Sequence, residues 1–369
     1  MSEHEAVLQV ENLTVSFPTE DGLVRAVRGV SYELRRGEVL GIVGESGSGK
    51  SVTSMAVMGL LPVSARIGGS VRFHGQELIG VPDKRMRTLR GGRIAMVFQD
   101  PMTSLNPVYT VGDQIAEAVR AHNDVSAAQA RERAVELLAL MQIPRPRERA
   151  RDYPHQFSGG MRQRVVIATA MANSPDVIIA DEPTTALDVT VQAQVLRALE
   201  TARAATDAAM VLITHDLGVV AGAADRVLVM YAGRPVELGG VDDIYYTPRM
   251  PYTLGLLGSL PRLDDGRRGE RLTPIAGSPP SLLDLPPGCP FAPRCPMRQE
   301  VCETAEPEPV ATSEPGHLAA CHFSADLEGK RPEDVFVTSS GDPADHAADH
   351  AADHAADHAA DDPAAGGAP

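Results

Sequence analysis

Within the 369-residue sequence, Gly44-Glu-Ser-Gly-Ser-Gly-Lys-Ser51 is the segment whose residue types and spacing imply chemistry most directly. It fits G-x-x-x-x-G-K-[ST], in which glycines let backbone N–H groups close on phosphate oxygens at the positive end of the following helix. Gly44, Ser46, Gly47, Ser48, Gly49 and Val52 would build that cradle. Lys50 would reach the β- and γ-phosphates, and the Ser51 hydroxyl would bind Mg2+. A second constellation is Val177-Ile-Ile-Ala-Asp181-Glu182, an apolar run ending in two acids. Asp181 can hold the hydration shell of Mg2+, and Glu182 can orient and deprotonate an attacking water. An Asp-Glu pair after a strand is by itself more often a solvated turn. Paired with a phosphate loop it reads as a hydrolytic centre, although the two motifs alone do not separate a GTPase, a kinase and a transporter ATPase.

These residues need elements to position them. Val39-Leu-Gly-Ile-Val is a short, nearly continuous apolar run, as expected of a parallel strand buried on both faces, and residues 52–61 read as the helix after the loop. Asp176–Ala180 and Ala209–Thr214 predict two more buried strands, separated by a helix over about Val191–Ala205. Val7–Phe17 and Val30–Leu34 read as strands, Ser70–Leu78 as a hairpin strand, and Val111–Met141 as helical with a capping box at Ser126-Ala-Ala-Gln129. Strand, loop, helix, strand in that order predicts an α/β core with a mainly parallel sheet. From Thr247 onward proline becomes frequent, so an irregular extension with short helices is expected. After Ser324 the chain reads as a polar, disordered tail.

Composition narrows the classes. Lys and Arg total 34 against 49 Asp and Glu, a formal charge of −15, which excludes a protein that grips nucleic acid with its whole surface. From Arg331 onward there are nine acids and one base, so the first 330 residues carry only −7. The amino terminus lacks the features of a secretory signal, and no apolar run approaches the ~20 residues needed to span a bilayer, so a cytosolic chain is expected unless partners hold it at a membrane.

Between the two phosphate-handling motifs lies Phe157-Ser158-Gly159-Gly160-Met161-Arg162-Gln163-Arg164. This run resembles the signature of ATP-binding cassette (ABC) ATPases. Gln99 after Ile94-Ala-Met-Val-Phe matches that family's Q-loop, Ala186-Leu187-Asp188 its D-loop, and Thr214-His215-Asp216 its switch histidine. Phe17 sits where the family places an aromatic residue against adenine. The resemblance covers about residues 7–323 and implies an α/β phosphate-loop ABC nucleotide-binding domain: a RecA-like parallel-sheet core, an antiparallel β-subdomain and an α-helical subdomain. The implied boundaries are residues 5–246 for the ATPase domain, with the helical subdomain at about 100–172, then 247–323 for the extension and 324–369 for the tail.

The resemblance also implies a mechanism. Two cassettes close head to tail on ATP, so that Ser158, Gly159 and Gly160 contact the nucleotide of the partner cassette. Closure aligns Glu182 and His215 with the γ-phosphate, while Gln99 completes the Mg2+ shell with Ser51 and Asp181. Met161 stands where Gln is usual, yet the signature, Gln99-Asp-Pro-Met-Thr-Ser-Leu-Asn-Pro107 and Ala180-Asp-Glu-Pro-Thr-Thr-Ala-Leu-Asp resemble the branch serving dipeptide, oligopeptide and nickel importers. Thr247-Pro-Arg-Met-Pro-Tyr-Thr-Leu-Gly is similar to that branch's carboxy-terminal module, with Met250 in place of its usual His. The partners implied are a second ATPase subunit, expected to be a distinct chain, two transmembrane permeases, and through them an extracytoplasmic peptide-binding protein; nucleic acid is not among them. Location at the cytoplasmic face of the membrane follows. A nickel importer is the alternative within the branch, and a soluble redox or metal sensor with an ATP switch the alternative of a different class.

All four cysteines, Cys289, Cys295, Cys302 and Cys321, fall in the extension with five, six and eighteen residues between them. Paired C-x2-C knuckles, which favour zinc, are absent. Four thiolates suit a [4Fe-4S] cluster, which the branch resemblance implies, with Zn2+ or unligated thiols as alternatives and His317 and His322 as substitute ligands or plain surface residues. His346, His350, His354 and His358 recur every four residues; low-complexity disorder is the expectation there, with a helical metal-binding stripe as the alternative.

Overall fold

The computed structural model describes residues 6–98, 100–185, 187–260 and 274–336, leaving aside the side chains of residues 101 and 102. Gln99, Ala186 and the histidine repeat of the tail lie outside the described residues. The strands are β1 (Ala6–Thr19), β2 (Gly22–Arg35), β3 (Val39–Val43), β4 (Arg66–Phe73), β5 (Gln76–Glu77), β6 (Ile94–Val97), β7 (Val177–Asp181), β8 (Ala209–Thr214), β9 (Arg226–Tyr231), β10 (Arg234–Gly240), β11 (Val310–Ala311) and β12 (Leu318–Ala319).

Two sheets result. In the larger, ordered β11-β12-β10-β9-β3-β8-β7-β6, strands β9, β3, β8, β7 and β6 run parallel, and β10, β12 and β11 add an antiparallel edge. The smaller, ordered β2-β1-β4-β5, is antiparallel. The phosphate-loop strand β3 therefore sits inside the parallel sheet, with β8 on one side and β9 on the other.

Why the central strands read as apolar runs is visible in their packing. In β7, Val177 and Ile179 face the antiparallel sheet, while Ile178 and Ala180 face the helical layer; Ala209, Val211 and Ile213 against Met210 and Leu212 divide β8 in the same way. Successive side chains point to opposite faces, and both faces are covered. Each fully buried Ile, Val or Leu contributes about 1.5–3 kcal/mol, so these strands anchor the loops at their carboxyl ends.

Between β6 and β7 the chain is helical. The expected 111–141 segment is two helices, Val111–His122 and Ala127–Leu140, and the Ser126/Gln129 capping box starts the second. The Ser158-Gly-Gly turn opens the helix Gly159–Ala170. Val30–Leu34 is the end of the longer strand β2, whose first half, Gly22–Gly29, lacks strict alternation.

The extension is continuous with the core, because β12 pairs with β10 and lengthens the large sheet. Its own apolar cluster joins Tyr231 and Ile244 of the core to Tyr252, Leu254, Phe291 and Phe336. Order also runs past the boundary expected at residue 323. Ser324–Leu327 and Pro332–Val335 form short helices that bury Leu327, Val335 and Phe336, apolar anchors hidden among polar neighbours.

Candidate functional site

Residues Gly44–Ser51 turn from the end of β3 into the helix Lys50–Val57. Gly44, Gly47 and Gly49 have φ of 153°, 78° and 97°, which side-chain-bearing residues rarely adopt. A Cβ on Gly49 would lie 2.4 Å from the Ala26 carbonyl oxygen, so glycine is also required by close approach. The loop folds around Lys50, which is buried, with Nζ donating to the carbonyls of Gly44 (2.7 Å) and Glu45 (2.9 Å). Burial lowers the Lys50 pKa, opposed by the charges of Glu182, Asp181 and Glu45. A buried ammonium bonded only to neutral oxygens is a site that gains when anionic oxygens arrive.

Across the loop, the Ser51 hydroxyl donates to Asp181 Oδ1 at 2.9 Å. Asp181 ends β7, and its carboxyl is pushed above the usual carboxylate range by burial, with the Ser51 hydrogen bond acting against that. Glu182 follows in the left-handed region (φ 46°), its N–H donating to the Ile213 carbonyl of β8. A non-glycine residue held there is strained, and the strain is set by the neighbouring strand. It turns the Glu182 carboxylate to within 3.3 Å of His215 Nδ1, and Thr185 Oγ1 donates to Glu182 Oε2 at 2.8 Å.

An open pocket of about 720 Å³ results, lined by Ala26, Glu45–Val52, Glu182, His215 and Leu282. It brings together the expected Ser46, Gly47, Ser48, Gly49, Lys50, Ser51, Val52, Glu182 and His215, with Asp181 behind them. Ser158, Gly159, Gly160, Asp188 and Phe17 are not in its lining. Ser158 and Asp188 each cap a helix: Ser158 Oγ accepts from Met161 N–H at 3.4 Å and Asp188 Oδ1 from Val191 N–H at 3.0 Å. Gly160 is buried where a Cβ would meet Val191 Cγ1 at 2.4 Å. Phe17 pairs with Val24 on the β1–β2 hairpin.

Sequence reasoning missed the contribution of the extension. Tyr252 Oη accepts from Glu45 N–H at 2.9 Å, Arg294 holds the Glu45 carboxylate, and Leu282 reaches the pocket wall. These positions are separated from the phosphate loop by more than two hundred residues, and no local pattern couples them.

Residues 27–185 match the family model described as ABC transporter, and residues 236–302 match that described as oligopeptide/dipeptide transporter, C-terminal region. The dipeptide transport ATP-binding protein DppD of Bacillus subtilis is 54% identical over 343 residues, covering 92% of this chain and 100% of the relative. The chain belongs to the ABC transporter family. The oligopeptide transport ATP-binding protein OppD of Mycobacterium tuberculosis is 58% identical over 333 residues, 89% of this chain; this ABC chain spans about half (54%) of that relative's length. Among solved structures, the ATP-binding cassette MJ0796, a dimer in a post-hydrolysis state bound to ADP and Pi, aligns with TM-score 0.56 at 26% identity over 63% of this chain and 98% of that one. The fold is thus the ABC nucleotide-binding fold anticipated from the motifs.

The cysteines of this ABC chain collect in the extension's apolar cluster, Cys289 and Cys302 buried within it and Cys295 and Cys321 packed against it. Burial pushes the Cys295 thiol up to about 11 and the Cys321 thiol up to about 12, and raises Cys289; the other cysteines add to each shift. Among the described residues no group of three or more His, Cys, Asp or Glu is arranged to hold a metal ion, so the expected four-thiol metal centre is without geometric support. His317 is not a surface residue: it is fully buried, with Nε2 2.8 Å from Glu237 Oε1. His322 Nε2 meets the Ala305 carbonyl at 3.0 Å.

Proposed function

We propose that this chain is the ATP-hydrolysing subunit of an ABC importer that powers uptake of dipeptides or oligopeptides. The observation that carries the reading is the single pocket in which the Lys50 loop, the Ser51–Asp181 corner and the Glu182–His215 pair meet. Backbone amides of Ser46–Ser51 bind phosphate oxygens, and Lys50 exchanges its carbonyl contacts for the β- and γ-phosphates. Ser51 and Asp181, with Gln99, would hold Mg2+, which when bound supplies charge neutralisation between the phosphates. Glu182 takes the proton of the attacking water, and His215 orients Glu182 and the γ-phosphate. Steady-state release of phosphate from Mg-ATP by the chain assembled with its partner cassette and permeases tests the assignment; absence of any turnover above a Lys50→Ala control in the same assembly contradicts it.

Ser158, Gly159, Gly160 and Asp188 lie apart from the pocket, which supports their service to a second cassette; a distinct chain is the proposed partner. Two permeases are the proposed membrane partners, and the cytoplasmic face beside them is the proposed location; no helix among the described residues is long and apolar enough to cross a membrane. A groove of about 1330 Å³ carrying the exposed Phe98 and Tyr109 supports docking there. Residues 247–323 then form the importer-branch extension. Through the permeases an extracytoplasmic binding protein delivers peptide, as the printed functions of the DppD and OppD relatives support.

We further propose that Cys289, Cys295, Cys302 and Cys321 hold a [4Fe-4S] cluster. Its support is the donor set alone: four thiols gathered in the apolar cluster of the extension, Cys289 and Cys302 buried in it and Cys295 and Cys321 packed against it. Iron and acid-labile sulfide in anaerobically purified protein test it, and colourless protein containing zinc contradicts it.

A further inference from the structure

The phosphate loop contains an acid. Glu45 lines the nucleotide pocket with Glu182, Asp181 lies behind it, and all three carboxylates act on the Lys50 ammonium. Mg2+ offsets Asp181, and Glu182 is needed as a base, but a carboxylate at position 45 opposes the polyphosphate that the loop's amides attract. The neutralising charge comes from the extension. Arg294 Nη1 donates to Glu45 Oε2 at 2.6 Å and Nη2 to Oε1 at 2.9 Å, a two-pronged pair across 249 residues of sequence.

That guanidinium is fixed on every side. Its side chain is 5% exposed, Nε donates to the Ala276 carbonyl at 3.0 Å, Nη1 also reaches Tyr231 Oη at 3.3 Å, and Cζ lies 5.9 Å from the ring centres of both Tyr231 and Phe291. The Tyr252 hydroxyl, from the same extension, accepts from Glu45 N–H and fixes the backbone at the same residue. A surface ion pair has no such enclosure. This one lies between the apolar cluster of the extension and the first turn of the phosphate loop.

We infer that Arg294 is a positioning residue of the nucleotide site: it neutralises Glu45 and draws its carboxylate away from the phosphates, making ATP affinity depend on the docked extension. The inference rests on the reading that the pocket binds Mg-ATP. Its electrostatic part carries a signature that a scaffolding role does not. Removing Arg294 leaves a bare negative charge beside the phosphates, removing Glu45 leaves a bare positive one, and removing both restores balance.

Calorimetric titration of the full chain with a non-hydrolysable ATP analogue and Mg2+ tests it. For R294Q the expected dissociation constant rises about tenfold, with R294K between R294Q and the parent because the charge is kept while the two-pronged, ring-packed geometry is lost. E45Q binds more tightly than the parent, and E45Q/R294Q returns most of the affinity lost in R294Q. Equal affinity of R294Q and parent overturns the inference, as does a double variant as weak as R294Q. If R294Q does not fold, E45Q alone decides, since weaker binding there contradicts the neutralisation. A parent chain that binds no analogue overturns the ATPase reading itself, an outcome distinct from equal binding by parent and variant.

Discussion

The Ser51 hydroxyl donates to Asp181 Oδ1 across 2.9 Å, joining the first turn of the helix after β3 to the carboxyl end of β7. The two residues are 130 positions apart in sequence, and the adjacency of β3, β8 and β7 in one parallel sheet brings them together. In the proposed function, the hydroxyl and carboxylate form the corner that would hold a hydrated divalent ion. Parallel strands place all such residues at one end of the sheet, where ligands bind in this class of fold.

From this corner, Asp181→Asn is expected to lower Mg-ATP hydrolysis by a factor of roughly 10² or more, because a carboxylate is lost where cationic charge is to be held. Measuring phosphate release across a Mg2+ titration checks this. Recovery of full turnover at raised Mg2+ would show that Asp181 assists metal binding alone.

Gly49→Ala is expected to abolish nucleotide binding and lower thermal stability. The new Cβ would sit 2.4 Å from the Ala26 carbonyl oxygen, at a φ of 97° that alanine resists. Strain of about 1–3 kcal/mol is expected from the dihedral, before the clash is added. Differential scanning calorimetry with and without nucleotide reads both effects.

A third expectation concerns pH. Hydrogen bonds from Thr312, Arg249 and Ser313 hold the Glu314 carboxyl at about 2, below its ordinary value of 4.5. Because the folded-state value is depressed, the stabilisation is present above about 4.5 and is lost as pH falls through about 2. Glu314→Gln should therefore lower the unfolding midpoint at pH 7 and converge with the parent in strong acid. Parallel curves at all pH values would contradict the assignment.

How much of this was legible beforehand depended on whether the cause was local. The strands β3, β7 and β8 could be read because burial on both faces makes them continuous apolar runs. The Ser126/Gln129 capping box closes within four residues and was equally plain. The chemistry of Lys50, Ser51, Asp181 and Glu182 was legible because backbone geometry at a phosphate demands those types in that order. By contrast β12 is two residues long and exists through pairing with β10, and Arg294 meets Glu45 only after the extension folds back. The ordered stretch past Ser324 was hidden because three apolar anchors, Leu327, Val335 and Phe336, are diluted among polar residues. Thiol count and spacing marked out the four cysteines, but spacing alone did not show that they would sit in the apolar cluster of the extension.

The central claim, that this pocket hydrolyses ATP with Glu182 as the base, is tested most directly by Glu182→Gln. The account predicts that this variant binds Mg-ATP with an affinity close to that of the parent while its phosphate release falls by about 10³-fold, the binding surfaces being intact and the proton acceptor gone. Phosphate release equal to that of the parent, at equal binding, would contradict it.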